Sequence, residues 1–185
     1  MEVRAAHKMG SVGHWVEESS GFGPNANILG EDELSSALVD LRACVDPFLL
    51  AAWVGEEANA LGCNARMPEM FDRSAECSPR ILLCVLAYSY TRGVFSSEEI
   101  VRNCRTNGVF GVLAEGKFLF RQELTRFRRR HRALLAKLIA RVFVRFVSEW
   151  FGFNRRELPA CIETYLERTA IDRLDIARHL DTSDE

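Results

Sequence analysis

Side chains that bind phosphate groups and base edges are concentrated between residues 102 and 137 of this chain. A guanidinium group pairs with phosphate oxygens through two parallel hydrogen bonds, and arginine and asparagine also match the exposed edges of guanine and adenine. The candidate DNA-binding residues are Arg102, Asn103, Arg105, Arg121, Arg126, Arg128, Arg129, Arg130, Arg132 and Lys137. This pattern predicts binding to the phosphate backbone of double-stranded DNA.

The charge distribution supports this interpretation, although the net charge is only −2. Residues 1–79 carry 5 basic and 13 acidic side chains, a net of −8, and residues 146–185 carry 5 and 9, a net of −4. Residues 80–145 carry 14 basic and 4 acidic side chains, a net of +10. A basic middle between acidic flanks is expected from a polyanion-binding surface and equally from ion pairing within the fold, so both explanations stay open.

The sequence gives little support for catalysis or for a bound metal. None of the six cysteines forms a CxxC pair, which favours reduced and mostly buried thiols in a cytosolic protein without cofactor or metal. Glu163 and Glu167 lie four residues apart, but with Arg168 and Arg173 nearby they are typical of a solvated helix face. No nucleophile lies beside a base, so we expect no enzymatic activity from the chain itself.

Membrane insertion and secretion are not expected either. Lysine and arginine interrupt every apolar run before it reaches about 18 residues. The N-terminus lacks the apolar segment of a signal peptide. These features predict a cytoplasmic protein without a membrane partner.

Capping signals predict an all-α bundle of five to seven helices with a mobile segment at 1–30, a helical domain at 31–180 and a disordered tail at 181–185. Asp46-Pro47 and Ser78-Pro79 each favour a helix start, Ser96 with Glu99 forms a capping box, and Gly93 and Gly152 favour helix ends. The predicted helices are 32–45, 47–61, 79–91, 97–107, a short turn at 109–113, a long basic helix at 122–151, and one helix or a pair within 158–180.

The long basic helix has one apolar face. Apolar residues and one histidine recur every three or four positions, at Phe127, His131, Leu134, Leu138, Val142 and Phe146. Phe127 and His131 are therefore expected in the core. Arg130, Lys137, Arg141 and Arg145 project from the other faces.

Helices 79–92 and 97–107, joined by a turn of about three to four residues, could form a helix-turn-helix in which Arg102, Asn103 and Arg105 face the groove. The register is imperfect. An apolar residue is expected six positions after Gly93, but that position is Glu99, and the apolar Ile100 comes one position later. An ordinary antiparallel helix hairpin remains the alternative.

Residues 79–135 resemble the N-terminal domain of bacterial insertion-sequence transposases of the DDE type. That domain has a proline, a leucine-rich turn, Tyr-x-Tyr-x-x-Gly and a serine pair before isoleucine. The matching residues are Pro79, Tyr88, Tyr90, Gly93, Ser96, Ser97 and Ile100. Phe110-Gly-Val-Leu113 matches a following Phe-x-x-Leu segment, and residues 124–131 resemble Thr-(Ile/Leu)-x-x-Phe-Arg-x-x-His with leucine and threonine exchanged. Weaker similarity reaches back to Leu38–Trp53.

The resemblance implies a helical, DNA-associated module that recognises element ends or a derived site in the bacterial nucleoid. The Asp-Gly-Thr-type motif that opens the family's catalytic domain is absent from this sequence, which predicts a catalytically incomplete protein. One alternative is a regulatory module that pairs with itself or with a full-length transposase through the Leu134–Phe146 face. A split transposase completed by another chain is a further alternative.

Overall fold

The all-α class predicted from the sequence is confirmed. The computed structural model describes residues 30–62 and 77–183, which form eight α-helices, one short 3-10 helix at Arg155–Glu157 and no β-strand. The α-helices are α1 Glu31–Cys44, α2 Pro47–Ala60, α3 Pro79–Thr91, α4 Ser97–Thr106, α5 Gly108–Leu113, α6 Arg121–Arg130, α7 Arg132–Phe151 and α8 Ala160–Ser183. The predicted mobile segment lies outside the described residues, apart from Gly30.

Several helix ends follow from local chemistry, as predicted. The Asp46 carboxylate accepts hydrogen bonds from the backbone N–H groups of Phe48 at 2.9 Å and Leu49 at 3.0 Å, which caps α2. Gly93, after the C-cap residue Arg92 of α3, and Gly152, directly after α7, adopt φ values of 70° and 72°. Glycine reaches this left-handed conformation without a steric penalty, so both residues end a helix where the sequence indicated.

The predicted capping box at the start of α4 is wrong. Ser96 makes no side-chain capping bond. Instead, the carboxylate of Asp181 accepts hydrogen bonds from the Ser97 backbone N–H at 3.2 Å and from the Ser97 hydroxyl at 2.6 Å. A buried carboxylate is a charged acceptor that is favourable at a helix N-terminus, and here it satisfies the first N–H group of α4 through a tertiary contact.

The most enclosed helix is α3, which contacts α2, α4, α5, α6, α7 and α8. Every residue from Ile81 to Thr91 is buried. Its buried hydroxyl groups donate to carbonyls one turn earlier, Ser89 to Val85 at 2.6 Å and Thr91 to Ala87 at 2.8 Å. A helix that is apolar on all sides must lie in the interior, so α3 and not the basic helix forms the centre of the fold.

The predicted long basic helix is two helices, α6 and α7, separated at His131. The backbone of His131 leaves the helical region, with φ −119° and ψ 28°. Phe127 and His131 are both buried as predicted, with ring centroids 4.7 Å apart. Burial lowers the pKa of His131, and Arg130 lowers it further, so this imidazole is neutral at pH 7. Apolar spacing continues across the break, which is why periodicity could not reveal it.

The apolar face of the basic helices is covered within the fold. Leu138, Val142 and Phe146 are at most 1% exposed and lie in the core, and Leu134 is half-buried against it. α7 packs on α8, and Arg132 at the start of α7 pairs with Asp175 late in α8. The Leu134–Phe146 face is therefore not the partner-binding surface that the regulatory alternative requires.

α8 is longer than predicted, and the predicted disordered tail is wrong for residues 181–183. The helix continues to Ser183, and Asp181 is only 3% exposed. The carboxylate of Asp181 is held by several donors from other helices, which keeps the end of α8 against the core.

Arg173 on α8 is not part of a solvated face. Its guanidinium donates to the backbone carbonyls of Tyr90 and Thr91, both at 2.7 Å, and lies 4.8 Å from the centre of the Phe143 ring. The last carbonyls of a helix lack hydrogen-bond donors within the helix. Arg173 provides donors for two such carbonyls at the buried C-terminus of α3.

Thiol reactivity is expected to differ sharply among the described cysteines, which form no disulfide with one another. Cys44 and Cys161 are exposed, whereas burial raises the pKa of Cys77 and of Cys104 to about 11, Glu123 adding to the effect at Cys77. Because the thiolate is the reactive form, an aromatic disulfide reagent at pH 8 should label Cys44 and Cys161 well before Cys77 and Cys104.

Peptide mass spectrometry of the labelled protein identifies each site. Labelling in denaturant serves as the control, since all thiols should then react at similar rates. Equal labelling rates for Cys77 and Cys161 in the native protein would contradict the burial described above.

Candidate nucleic-acid interface

α6 presents a continuous basic face. Residues spaced one turn apart line an open concavity of about 670 Å³, and we call them the basic face: Arg121, Gln122, Thr125, Arg126, Arg129 and Arg130. None of them is acidic. Arg126, Arg129 and Arg130 are exposed and form no ion pair with any residue in the part of the chain that the structure describes. Three uncompensated guanidinium groups on one helix suit a polyanion.

The edge of the basic face is tied to the end of α8. Arg121 is half-buried and donates to the backbone carbonyl of Asp181 at 3.2 Å. The hydroxyl of Thr125 donates to the Asp181 carboxylate at 3.1 Å. These bonds fix the orientation of α6, so that Arg126, Arg129 and Arg130 face solvent.

Arg128 must be removed from the predicted DNA-binding set. Its side chain is 4% exposed, pairs with the carboxylate of Asp181 and donates to the Tyr90 hydroxyl at 3.1 Å. Burial raises the pKa of Tyr90 to about 12, so the phenol is neutral. A guanidinium enclosed in this way cannot reach a phosphate, and its role is to hold α3, α6 and α8 together.

The arginines of α7 are largely neutralised by acidic residues of the flanks. Arg132 donates to both oxygens of Asp175, at 3.0 and 2.8 Å, and this pairing lowers the pKa of Asp175. Arg132, predicted to contact DNA, is thus engaged within the fold. Arg141 binds the buried carboxylate of Glu57 at 2.7 Å.

Arg145 of α7 and Arg155 of the following 3-10 helix also form ion pairs with glutamates of α2. Arg145 pairs with Glu56 and Glu149 and lies 4.9 Å from the Trp53 ring, and Arg155 reaches Glu57 at 2.8 Å. Burial by itself would raise the pKa of Glu57, but its two arginine partners more than offset this and lower it. The two explanations of the basic middle therefore apply to different residues: internal pairing for Arg128 and the arginines of α7, and an uncompensated surface for Arg126, Arg129 and Arg130.

α4 carries the other predicted DNA-binding residues. Arg102 and Arg105 are exposed and Asn103 is half-buried, while Ser97 and Ile100 are the buried residues of the helix. Five residues separate α3 from α4, instead of the three to four predicted for a helix-turn-helix. The usual register would bury position 99, but the structure buries Ile100 completely. α4 packs on α3 and α6, and Arg105 shares a concavity with Phe120 at the start of α6.

A second concavity, of about 420 Å³, connects α4 with the start of α6. We call it the aromatic concavity, and its lining residues are Arg105, Lys117, Phe118 and Phe120. Phe118 is 71% and Phe120 50% exposed, whereas Leu119 between them is 1% exposed. Sequence reasoning missed this feature, although the sequence Lys-Phe-Leu-Phe beside arginines was the signal that could have revealed it.

Lys137, the last predicted residue, is exposed on α7 and forms no ion pair with the residues described here. It lies apart from the residues that line the two concavities.

No group of three or more histidine, cysteine, aspartate or glutamate side chains within residues 30–62 and 77–183 could hold a metal ion. None of the helices described combines the length and the apolar character needed to cross a membrane. Comparison of the chain with protein-family models, with curated proteins and with solved structures gives no match.

Proposed function

We propose that this protein binds double-stranded DNA through the basic face of α6, with Arg102 and Arg105 of α4 beside it. The observation that carries the proposal is the set of three exposed arginines, Arg126, Arg129 and Arg130, that have no acidic partner among the described residues. A phosphate backbone offers the repeated negative charge that such a set would neutralise, with release of counterions.

The wider proposal follows the resemblance of residues 79–135 to a transposase N-terminal domain. The protein would recognise the ends of a mobile element, or a site derived from them, in the bacterial nucleoid, and would not cut DNA by itself. Contacts from the basic face would set its position on the duplex, and Arg102 and Arg105 would read base edges. DNA binding is preferred to a pairing module because the face that such a module would use is covered by the fold.

The test is the salt dependence of binding to a labelled duplex, measured by fluorescence anisotropy. Four to six phosphate contacts predict a slope of about −4 to −5 for the logarithm of the association constant against the logarithm of salt concentration. Duplexes of random sequence and of element-end sequence should show the same slope. Arg102→Ala should reduce the preference between them by roughly 1–3 kcal/mol without changing the slope by more than about one unit.

Circular dichroism at each salt concentration shows whether the protein stays folded. A folded protein that binds no duplex at low salt would refute the proposal. Binding with a salt slope near zero would refute the phosphate-contact mechanism, since such binding would depend on contacts other than ion pairs with phosphates.

A further inference from the structure

The exposed rings of the aromatic concavity are held in place by the local fold. The chain turns at Glu115 and Gly116, with φ values of 52° and 69°, and then runs extended into α6. Leu119 is buried in the core, and alternation along the extended segment therefore directs Phe118 and Phe120 to the outside. The Phe120 backbone N–H donates to the Glu123 carboxylate at 3.1 Å, which fixes the second ring at the helix entrance.

Two basic residues lie beside these rings. Arg105 and Lys117 line the same concavity, and none of the acidic residues that the structure describes lines it. The two nearest acidic residues in sequence do not line it: Glu115 lies 3.9 Å from Arg80, and the Glu123 carboxylate accepts a hydrogen bond from the Phe120 backbone N–H. Two exposed aromatic rings between cations match a ligand that combines flat apolar surfaces with negative charges, as single-stranded DNA does.

Neighbouring residues at the start of α6 line the aromatic concavity and the basic face. Phe120 lines the first and Arg121, the next residue, lines the second. A strand that leaves a duplex bound on α6 could therefore pass directly over Phe120 and Phe118. Completely paired DNA would leave both rings in water, because its bases are already stacked on one another.

We propose that Phe118 and Phe120 stack on unpaired bases of DNA, while Arg105 and Lys117 bind the phosphates of the same strand. This inference rests on the proposed function and narrows it: the preferred ligand is a duplex that continues into single-stranded DNA. Stacking has little dependence on base identity, so the concavity selects unpaired structure and not sequence.

The test compares three labelled DNAs with equal numbers of phosphates: a blunt duplex, a duplex with a short thymidine overhang, and the same duplex with an abasic overhang. The abasic overhang keeps the phosphates and lacks the bases, so it isolates stacking from charge. The thymidine overhang should bind roughly 5- to 100-fold more tightly than the abasic one, the range expected for one stacked base.

The double variant Phe118→Leu/Phe120→Leu keeps apolar side chains and removes the aromatic rings. It should abolish the preference for thymidine over abasic overhangs and leave blunt-duplex affinity unchanged. Phe118→Trp in the wild-type background should retain the preference. Val39→Ala on α1, where the side chain is 70% exposed, is the control for loss of an exposed apolar group. It should change neither the affinity for the blunt duplex nor the preference for the thymidine overhang.

Equal affinity of the wild-type protein for the two overhangs would overturn the inference, even if the blunt duplex binds well and the proposed function stands. Preserved preference in the leucine double variant would also overturn it. Tighter binding of the thymidine overhang without any blunt-duplex binding would support stacking and refute the duplex proposal. The two ideas can therefore fail separately.

Discussion

Asp181→Asn is expected to reduce the free energy of unfolding by about 3–5 kcal/mol. The Asp181 carboxylate accepts hydrogen bonds from Ser97, Thr125 and Arg128, and both it and Arg128 are almost completely buried. Asparagine has nearly the same shape, but it leaves the Arg128 charge without a counterion in the interior. The loss should greatly exceed that of a surface ion pair.

Urea denaturation followed by circular dichroism measures this effect, and Asp175→Asn is a matched control. Asp175 also pairs with an arginine, but both side chains of that pair are more than a third exposed. Solvent screens such a pair, so the control should lose about 1 kcal/mol or less. Equal losses in the two variants would show that Asp181 has no special role in stability.

Acid titration gives an independent check on Asp181. Burial by itself would raise the pKa of this carboxyl, but hydrogen bonds from Ser97 and Arg128 more than offset it, and the pKa lies below its ordinary value of 3.8. The stabilisation is therefore complete above the ordinary pKa and is lost as the pH falls through the lower folded-state pKa. The stability difference between the wild-type protein and Asp181→Asn should be constant near neutral pH and shrink only in acid.

Replacing the three free arginines of the basic face by glutamine, as Arg126→Gln/Arg129→Gln/Arg130→Gln, should weaken duplex binding by roughly two to three orders of magnitude at about 0.1 M salt. Each lost phosphate contact removes about 0.9 from the salt slope, so a slope of about −4 to −5 should fall to about −1 to −2. Fluorescence anisotropy on one duplex at several salt concentrations measures both quantities.

The matched control is Arg132→Gln/Arg141→Gln/Arg145→Gln, which removes the same charge from side chains already paired with acidic residues. It should reduce the free energy of unfolding but leave the salt slope of duplex binding nearly unchanged. Equal losses of binding in the two triple variants would mean that total charge, and not the basic face, determines affinity. Stability of each variant is measured first, so that unfolding is not mistaken for lost contact.

The sequence was most informative where structure depends on neighbours in the chain. Asp46-Pro47, Gly93 and Gly152 each set a helix end through a backbone conformation or a hydrogen bond to the next turn. The capping box predicted at Ser96 does not form, and the carboxylate that binds the start of α4 belongs to Asp181, 84 residues after Ser97. No local pattern contains that partner.

The candidate site was harder to predict, because adjacent arginines differ in burial. Arg128 is buried and Arg129 is exposed, so residue type alone cannot separate them. The helical positions of Leu124, Phe127 and Leu135, all buried, place Arg128 on their side, and this was a usable signal. Similarly, Asp181 continues the apolar line of Leu174 and Ala177 on α8, but its arginine partner could not be read from the sequence.

The position of Asp181 also has a consequence for how the protein is made. Ser97 and Arg128 precede it by 84 and 53 residues, so their shared contact forms only after nearly all of the described chain has been synthesised. Until then the buried guanidinium lacks its counterion, and the helices already outside the ribosome cannot reach their final packing. Productive folding should therefore begin late, after α8 emerges, and the nascent chain should depend on protection from aggregation until that moment.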